Sequence, residues 1–357
     1  FDLLVQRAER AEFAGNLLKL KRLNNMKDLS MSFKLWKGLQ SHEITALSQS
    51  IHRMVRLSKV YLDFSQNSNF DQTCLRSLAS SLKSLKKLQK LHLYFFSSHF
   101  TNRDCFDVLS KSFENSPTLS HLILDFGKSA QATSAQTKNL LLSLRTLTNL
   151  SKLDINFSSC PSPDNLTLQS LAQGVTNLTN LSSLKLNFSE CPRINGESLM
   201  FIANALKKLT ALKVFEFSLT KQPLKSTFLS FTEALIYPAH LSKLMLNFSH
   251  SKDLGDKEIK ALAGSLHKFE NLEYLELNLS FCLKITDKGL HELASHIGKL
   301  QSLKMLNLNL FGYNKITPGG CAFLRSQIAR LESLKQTNLN FPITLSSSGS
   351  TRSQLRQ

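Results

Sequence analysis

This 357-residue sequence has no long apolar run and few cysteines. No uninterrupted apolar stretch reaches about 18 residues, so no membrane-spanning helix is predicted, and no signal peptide is visible. The cysteines include no closely spaced pair, which argues against a zinc site or a disulfide framework. We therefore expect an intracellular protein in a reducing compartment, either cytoplasmic or cytoskeletal. The cysteines are Cys74, Cys105, Cys160, Cys191, Cys282 and Cys321.

Sequence motifs of catalysis are also missing. The chain contains no Gly-x-Gly-x-x-Gly, no phosphate-binding loop, no Gly-x-Ser-x-Gly and no kinase signature. A near match to the zinc helix motif begins at His291, but His291 and His296 are one residue too far apart. Around a helix they diverge by about 140°. We therefore expect no enzymatic activity, no metal, no cofactor and no small-molecule ligand.

What the sequence has instead is one unit repeated from end to end. Each unit is marked by the middle residue of a short run of alternating apolar residues. The markers are Leu29, Val60, Leu91, Leu122, Leu153, Leu184, Phe215, Leu244, Leu275, Leu306 and Thr337. Successive markers are 31 residues apart, except for 29 residues between Phe215 and Leu244. A fixed period of about 20–50 residues is typical of a solenoid.

Each unit combines a strand pattern with a helix pattern. Alternation at period two predicts a strand with one buried face. This pattern is seen at Leu181, Leu184, Leu186 and Phe188. Apolar spacings of three and four predict one stripe of a helix. That stripe is seen at Leu75, Leu78, Leu82 and Leu85.

Over roughly residues 13–341 the pattern resembles the leucine-rich-repeat family. One turn resembles the ribonuclease-inhibitor-like, cysteine-containing subtype through Cys282, Ile285, Thr286, Asp287, Gly289 and Leu290. Three cysteines lie seven residues after their markers, two later than that subtype expects. The resemblance implies an α/β leucine-rich-repeat solenoid, a horseshoe of about eleven strand-turn-helix repeats with a parallel concave sheet and convex helices. It also implies that concave strands and adjoining loops grip other proteins.

The repeat divides the chain into three predicted segments. Residues 1–25 form an incomplete repeat or cap, 26–344 the solenoid, and 345–357 a flexible, serine-rich tail or linker. Because the chain opens on a helix pattern, we expect a processed product or a piece of a longer parent. In the 29-residue unit, Pro238 is expected to end the helix early and to change the local curvature.

Two columns of the repeat are expected in the core. Cys160, Cys191 and Cys282 share one repeat position, which indicates small buried side chains with a structural role. The second column consists of Phe33, Phe64, Phe95, Phe126, Phe157 and Phe188.

Two positions per strand are predicted to face the concave side, where a partner would bind. This face is neutral to acidic and carries a row of asparagines. The candidate partner-binding residues are Tyr61, Asp63, His92, Tyr94, Asp125, Asp154, Asn156, Lys185, Asn187, Glu216, Asn247, Glu276, Asn278, Asn307 and Asn309. The asparagine amides either bond along the ladder and finish the sheet surface, which we favour, or offer donors and acceptors to a partner. Few aromatic side chains lie there, so base stacking by a nucleic acid is poorly supported.

The formal net charge is +18, from 44 Lys and Arg against 26 Asp and Glu. Many cations fall at the helix end and in the turn into the next strand, which predicts a basic edge. Its candidate residues are Arg53, Arg56, Lys59, Lys83, Lys86, Lys87, Lys90, Lys152, Lys207, Lys208 and Lys213. These cations either complement the helix dipoles, at about 0.3–1 kcal/mol each, or form a positive rail for an acidic surface.

We therefore expect a non-catalytic protein-interaction scaffold, a subunit of a larger intracellular assembly such as a cytoskeletal or ribonucleoprotein complex. Its partners are proteins, with acidic surfaces favoured at the basic edge; nucleic acid is a weaker expectation. One alternative is a regulatory or substrate-recognition domain of a longer enzyme, for instance a ubiquitin-ligase adaptor or a kinase. Another is a free inhibitor-type binder that grips one target in the concave face.

Overall fold

Eleven five-residue strands form one open parallel sheet in the computed structural model, with helices between successive strands. The structure describes residues 25–34, 36, 39–67, 70–100, 104–129, 134–224, 227–235, 238–266, 268–312 and 315–341. The predicted N-terminal cap, apart from its last residue, and the predicted tail at 345–357 lie outside these ranges. None of the helices within them is long and apolar enough to cross a membrane.

In every strand the predicted marker is the second residue. The strands are β1 (Asp28–Ser32), β2 (Lys59–Asp63), β3 (Lys90–Tyr94), β4 (His121–Asp125), β5 (Lys152–Asn156), β6 (Ser183–Asn187), β7 (Val214–Ser218), β8 (Lys243–Asn247), β9 (Tyr274–Asn278), β10 (Met305–Asn309) and β11 (Gln336–Asn340). They pair in chain order, each residue opposite its equivalent one repeat away, as Leu122 pairs with Leu153. The predicted α/β solenoid of strand-turn-helix repeats is thereby confirmed.

The helices vary more in length than the strands. They are α1 (Ser41–Arg53), α2 (Gln72–Ser84), α3 (Cys105–Ser110), α4 (Ser134–Ser143), α5 (Asn165–Val175), α6 (Ser198–Leu206), α7 (Phe228–Ala234), α8 (Asp256–Leu266), α9 (Asp287–Ile297) and α10 (Pro318–Ile328). In the shortened unit α7 ends at Ala234, ahead of Pro238, as predicted. A proline there cannot continue the helix, because its ring clashes with the preceding turn and it lacks an N–H donor.

The core lies between the sheet and the helices and runs the length of the solenoid. In β1 to β10 the second and fourth residues are buried, because alternate side chains of a strand point to opposite faces. The predicted phenylalanine column is fully buried, and its rings stack from repeat to repeat. Ring centroids are 5.7 Å apart for Phe95 and Phe126 and 5.2 Å for Phe126 and Phe157. Each repeat thus completes the core of its neighbour.

The cysteine column is also structural, as predicted. The thiols of Cys160, Cys191 and Cys282 donate to the carbonyl oxygen of a phenylalanine 34 residues earlier, at 3.1, 3.0 and 3.4 Å. Ser98 and Ser129 occupy the same column and donate in the same way. This hydrogen bond therefore does not depend on cysteine, and Ser251, in the same column, lacks it. Burial raises the pKa of Cys160 and Cys191 to about 12, so both stay protonated.

The turn that carries the family resemblance has a packing explanation. Asp256 accepts hydrogen bonds from the backbone N–H groups of Thr286, at 2.8 Å, and Gly289, at 3.1 Å, in the next repeat. A Cβ atom on Gly289 would lie 2.5 Å from Oδ1 of Asp256, so only glycine fits this approach. The same arrangement recurs one repeat later, where Asp287 bonds Thr317. The motif thus ties adjacent repeats together.

We expect Phe126→Ala to lower the free energy of unfolding by about 3–5 kcal/mol, because it removes the central ring of the stacked column and leaves a cavity. Phe311→Ala is the matched control, since that ring is 36% exposed and its loss should cost less than about 1 kcal/mol. Urea denaturation followed by circular dichroism measures both. Equal losses in the two variants would contradict a core role for the column.

Candidate functional site

Three residues of each strand face the concave side, one more than the sequence predicted. The first, third and fifth residues of β3, β4 and β5 alternate with buried ones, so all three share one face. Lys59, Lys90 and Lys152 are first residues of their strands. They therefore lie on the sheet, whereas the sequence placed them in the turn before it. Each strand begins one residue before its marker, which accounts for the difference.

The asparagine row closes the turn after each strand. The side-chain oxygens of Asn156, Asn187, Asn247, Asn278 and Asn309 each accept a hydrogen bond from the backbone N–H two residues later, at 2.9–3.2 Å. In such an Asx turn the side-chain oxygen satisfies a backbone N–H that would otherwise need another acceptor. The predicted amide ladder along the row is mostly wrong: in the described chain, only Asn156 donates along it, to Asp125 at 2.9 Å.

Apart from that of Asn156, the amide nitrogens of the row remain available after this turn forms. Asn247, Asn278 and Asn309 are consecutive in the register, so their NH₂ groups repeat at about 4.8 Å. Asn278 and Asn309 line a shallow cleft of about 360 Å³ together with Asn307, Asn338 and Asn340. The C-terminal half of the concave face is thus rich in hydrogen-bond donors.

The turn contains a second feature that the sequence analysis missed. One residue per repeat has a positive φ, as at Ser97 (55°), Lys128 (57°) and Ser159 (55°). The N–H of this residue donates to a carbonyl of the next repeat, at 2.7 Å for Lys128 to Ser158. The ladder of backbone hydrogen bonds between repeats therefore continues past the end of the strand. This hydrogen bond offsets the free-energy cost of a left-handed backbone at a residue other than glycine. No residue type marks the position, since only Gly312 among these residues is a glycine.

Two predicted candidates in the C-terminal half are already engaged. Glu276 accepts a hydrogen bond from the hydroxyl of Tyr274 at 2.5 Å, and Asn307 donates to that hydroxyl oxygen at 2.8 Å. Burial, together with the adjacent Glu276, raises the pKa of Tyr274 to about 12. These three side chains form a fixed polar group on the concave surface.

In the N-terminal half, the structure brings five predicted candidates together. We call Tyr61, Asp63, Tyr94, Asp125 and Asp154 the tyrosine–aspartate patch. Asp63, Tyr94 and Asp125 are direct neighbours across β2, β3 and β4. The rings of Tyr61 and Tyr94 lie 5.0 Å apart at 40°. All five side chains are half-buried, which leaves part of each open to the concave space.

Charge within the patch is incompletely balanced. Burial, and then the charges of Glu216 and Asp125, raise the pKa of Asp154 to about 6, and only Lys185 opposes them. Lys185 is itself paired with Glu216, at 2.9 Å. No described residue donates a hydrogen bond to the Asp154 carboxylate. Burial also raises the pKa of Asp125, and it raises that of Tyr94 to about 12.

His92 lies beside the patch rather than within it. Its ring centroid is 6.1 Å from that of Tyr61 in an edge-on arrangement. Burial, and then the charge of Lys90, lower the pKa of His92, so the ring is neutral at physiological pH.

The predicted basic edge separates into two sets. One set lies at helix ends and in turns: Arg53, Arg56, Lys83, Lys86, Lys87, Lys207, Lys208 and Lys213. The other is a row of first strand residues, in which Lys59, Lys90, His121 and Lys152 stand on successive strands. Burial, and then Lys90 and Lys152, lower the pKa of His121. The neighbouring cations of the row therefore disfavour a positive charge on His121.

Most cations of the N-terminal half are unbalanced. Of the six ion pairs in the described part of the chain, five lie between residues 185 and 304. The sixth joins Lys59 to Asp28 at 2.6 Å. Lys86, Lys87, Lys90 and Lys152 pair with no described carboxylate. Unpaired cations thus lie on β3 and β5 and in the turn before β3.

The described residues include no group of three or more His, Cys, Asp or Glu side chains placed to hold a metal ion. The two histidines of the near-match motif have separate contacts on α9. His291 packs against the ring of Phe323, with centroids 4.3 Å apart, and His296 bonds the carbonyl of Glu292 at 2.8 Å.

Comparison with known proteins adds little beyond the fold. No protein-family model and no curated protein matches the sequence. One solved structure that is similar is the crystal structure of the Rad7 and Elc1 complex in yeast. The match has 16% sequence identity and a TM-score of 0.44, and it covers 85% of this chain and 75% of that chain. A likeness this distant says nothing about function, and the cysteine-containing subtype is not confirmed.

We expect Asp154→Asn to stabilise the protein at neutral pH. A carboxyl whose folded-state pKa lies near 6, above its ordinary 3.8, holds its proton more tightly when folded. The penalty on folding is therefore absent below the ordinary pKa of 3.8, grows as the pH rises from 3.8 to about 6, and is complete above about pH 6. After allowance for partial exposure, the penalty is about 1–2 kcal/mol. Denaturation should show that gain at pH 7.5, and the gain should vanish by about pH 4.

The control is Glu270→Gln, which removes one negative charge from an exposed turn. It should leave the free energy of unfolding within about 0.5 kcal/mol of wild type at both pH values. An asparagine variant no more stable than wild type at pH 7.5 would show that the Asp154 carboxylate is not strained.

Proposed function

We propose that this chain is a non-catalytic protein-interaction scaffold. The observation that carries the proposal is the concave face, where the first, third and fifth residues of successive strands remain partly exposed over most of the sheet. A surface of repeated columns suits an extended partner, because each repeat adds a small set of contacts. Half-exposed tyrosines on β2 and β3 supply the amphipathic anchors found in binding hot spots.

The finer proposal is a subunit of a larger assembly that meets an acidic surface at its basic edge. The helix dipole accounts for Arg53 and Lys83, which lie in the last turns of α1 and α2. It does not account for Lys90 and Lys152, because strands carry little net dipole. An acidic partner that supplies the missing carboxylates is the simplest reason for Lys90 and Lys152, which pair with none among the described residues.

The proposed solenoid spans residues 26–344, between an incomplete repeat and a tail. An intracellular setting is supported by the six cysteines, all free thiols in the structure. The alternatives, a recognition domain of a longer enzyme and a free inhibitor-type binder, use the same concave face. They differ in predicted behaviour: the inhibitor needs a single tight partner whose binding is lost on changing Tyr61, Tyr94 or Glu216.

Crosslinking mass spectrometry on the endogenous protein tests the scaffold. Partner crosslinks are expected at Lys59, Lys90, Lys152 and Lys185, which lie on the concave face. Crosslinks confined to convex lysines such as Lys260 would contradict it.

The basic edge has its own test. A fluorescein-labelled polyglutamate peptide should bind the full chain, and its affinity should fall steeply between about 50 and 300 mM salt. Neutralising Lys87 and Lys90 together, as Lys87→Gln and Lys90→Gln, should weaken binding about tenfold, because both charges are unpaired. Fluorescence anisotropy measures the affinity.

The matched control is Lys260→Gln with Lys284→Gln. It removes the same charge from lysines already paired with Glu292 and Asp253. Affinity should change less than about threefold. Equal losses of affinity in the two double variants, or an affinity that does not change with salt, would contradict binding of acidic partners at the basic edge.

A further inference from the structure

The tyrosine–aspartate patch has the opposite charge to the molecule that carries it. The chain has a formal net charge of +18, yet Asp63, Asp125 and Asp154 surround Tyr94 on the concave face. At physiological ionic strength charges are screened beyond about 8 Å, so a ligand at the patch responds mainly to these carboxylates. The patch therefore selects a cationic group locally.

Internal cations do not neutralise the patch. Asp63 and Asp125 accept hydrogen bonds from backbone N–H groups at 2.9 and 3.0 Å, which fixes their positions but leaves their charge unpaired. Lys185, the cation that acts on Asp154, is held by Glu216 at 2.9 Å. A half-buried carboxylate that destabilises the free protein is explained if a partner supplies its missing donor.

The aromatic pair narrows the choice of cation. The rings of Tyr61 and Tyr94, tilted at 40° with centroids 5.0 Å apart, expose part of their faces beside the carboxylates. A planar guanidinium stacks on such faces and still directs N–H donors at carboxylates, whereas an ammonium is a compact, strongly hydrated charge. A divalent metal fits poorly, since the described residues form no metal-ligand cluster.

Resting on the scaffold function proposed above, we propose that the tyrosine–aspartate patch binds an arginine side chain presented by a protein partner. The guanidinium lies against Tyr61 and Tyr94 and donates to Asp154 and Asp125. The partner segment then carries arginine at the patch, while its acidic part meets the nearby row of Lys59, Lys90 and Lys152. Opposite charges on one face fix the direction in which a segment lies.

The test uses the full chain and a fluorescein-labelled peptide in which arginine alternates with glycine. The control peptide replaces each arginine by citrulline, which has nearly the same shape but no charge. Fluorescence anisotropy at 150 mM salt should show the arginine peptide binding at least about tenfold more tightly than the citrulline peptide. A lysine–glycine peptide should bind about fivefold more weakly than the arginine peptide.

Variants locate the site. Asp154→Asn and Tyr94→Leu should each weaken the arginine peptide about five- to tenfold. Tyr94→Phe keeps the ring face and should bind within about twofold of wild type. Normal binding by Tyr94→Phe alongside weak binding by Tyr94→Leu assigns the loss of affinity to the aromatic ring. Glu270→Gln, which removes a carboxylate outside the concave face, should also leave the affinity unchanged.

Three results would overturn the inference. They are equal binding of the citrulline peptide, equal binding of the lysine peptide, and an equal loss in Asp154→Asn and Glu270→Gln. None of these outcomes contradicts the scaffold function, which is tested separately by the positions at which endogenous partners crosslink. Conversely, convex crosslinks with an intact arginine site would overturn the scaffold alone.

Discussion

The stacking of one repeat on the next holds this molecule together and determines its surfaces. No single unit buries its own apolar stripe, since one strand and one short helix have too few neighbours. Burial is completed only when Phe126 meets Phe95 and Phe157, and when each strand pairs in register with the next. Because every unit uses the same contacts, the exposed residues also fall into columns.

Because the exposed residues fall into columns, polar side chains at equivalent positions can share one structural role and still differ in charge. The fifth strand residue is an aspartate or asparagine in most repeats because its oxygen closes the turn, as Asp63 and Asn278 both do. That requirement is satisfied by either residue, so the choice between them is free to set the charge of the surface. Aspartate dominates near Tyr94, and asparagine takes over from Asn156 onward.

The pairing of charges therefore differs between the halves of the molecule without any change in fold. From Lys185 onward five lysines pair with carboxylates, as Lys304 does with Glu273. In the N-terminal half three carboxylates lie in the tyrosine–aspartate patch, and unpaired cations lie at strand starts and helix ends. Unpaired charges on this surface remain available to a partner, at some cost to the stability of the free protein.

The sequence by itself determined the architecture, the strand positions, the buried phenylalanine and cysteine columns and the early end of α7. It could do so because period and hydrophobic alternation are local and recur in nearly every repeat. Only the tertiary structure decided that Lys90 and Lys152 lie on the sheet, that the asparagines close turns, and that no described residue donates a hydrogen bond to Asp154. Those properties depend on strand ends, on left-handed turn residues and on contacts across 31 residues, which no local pattern records.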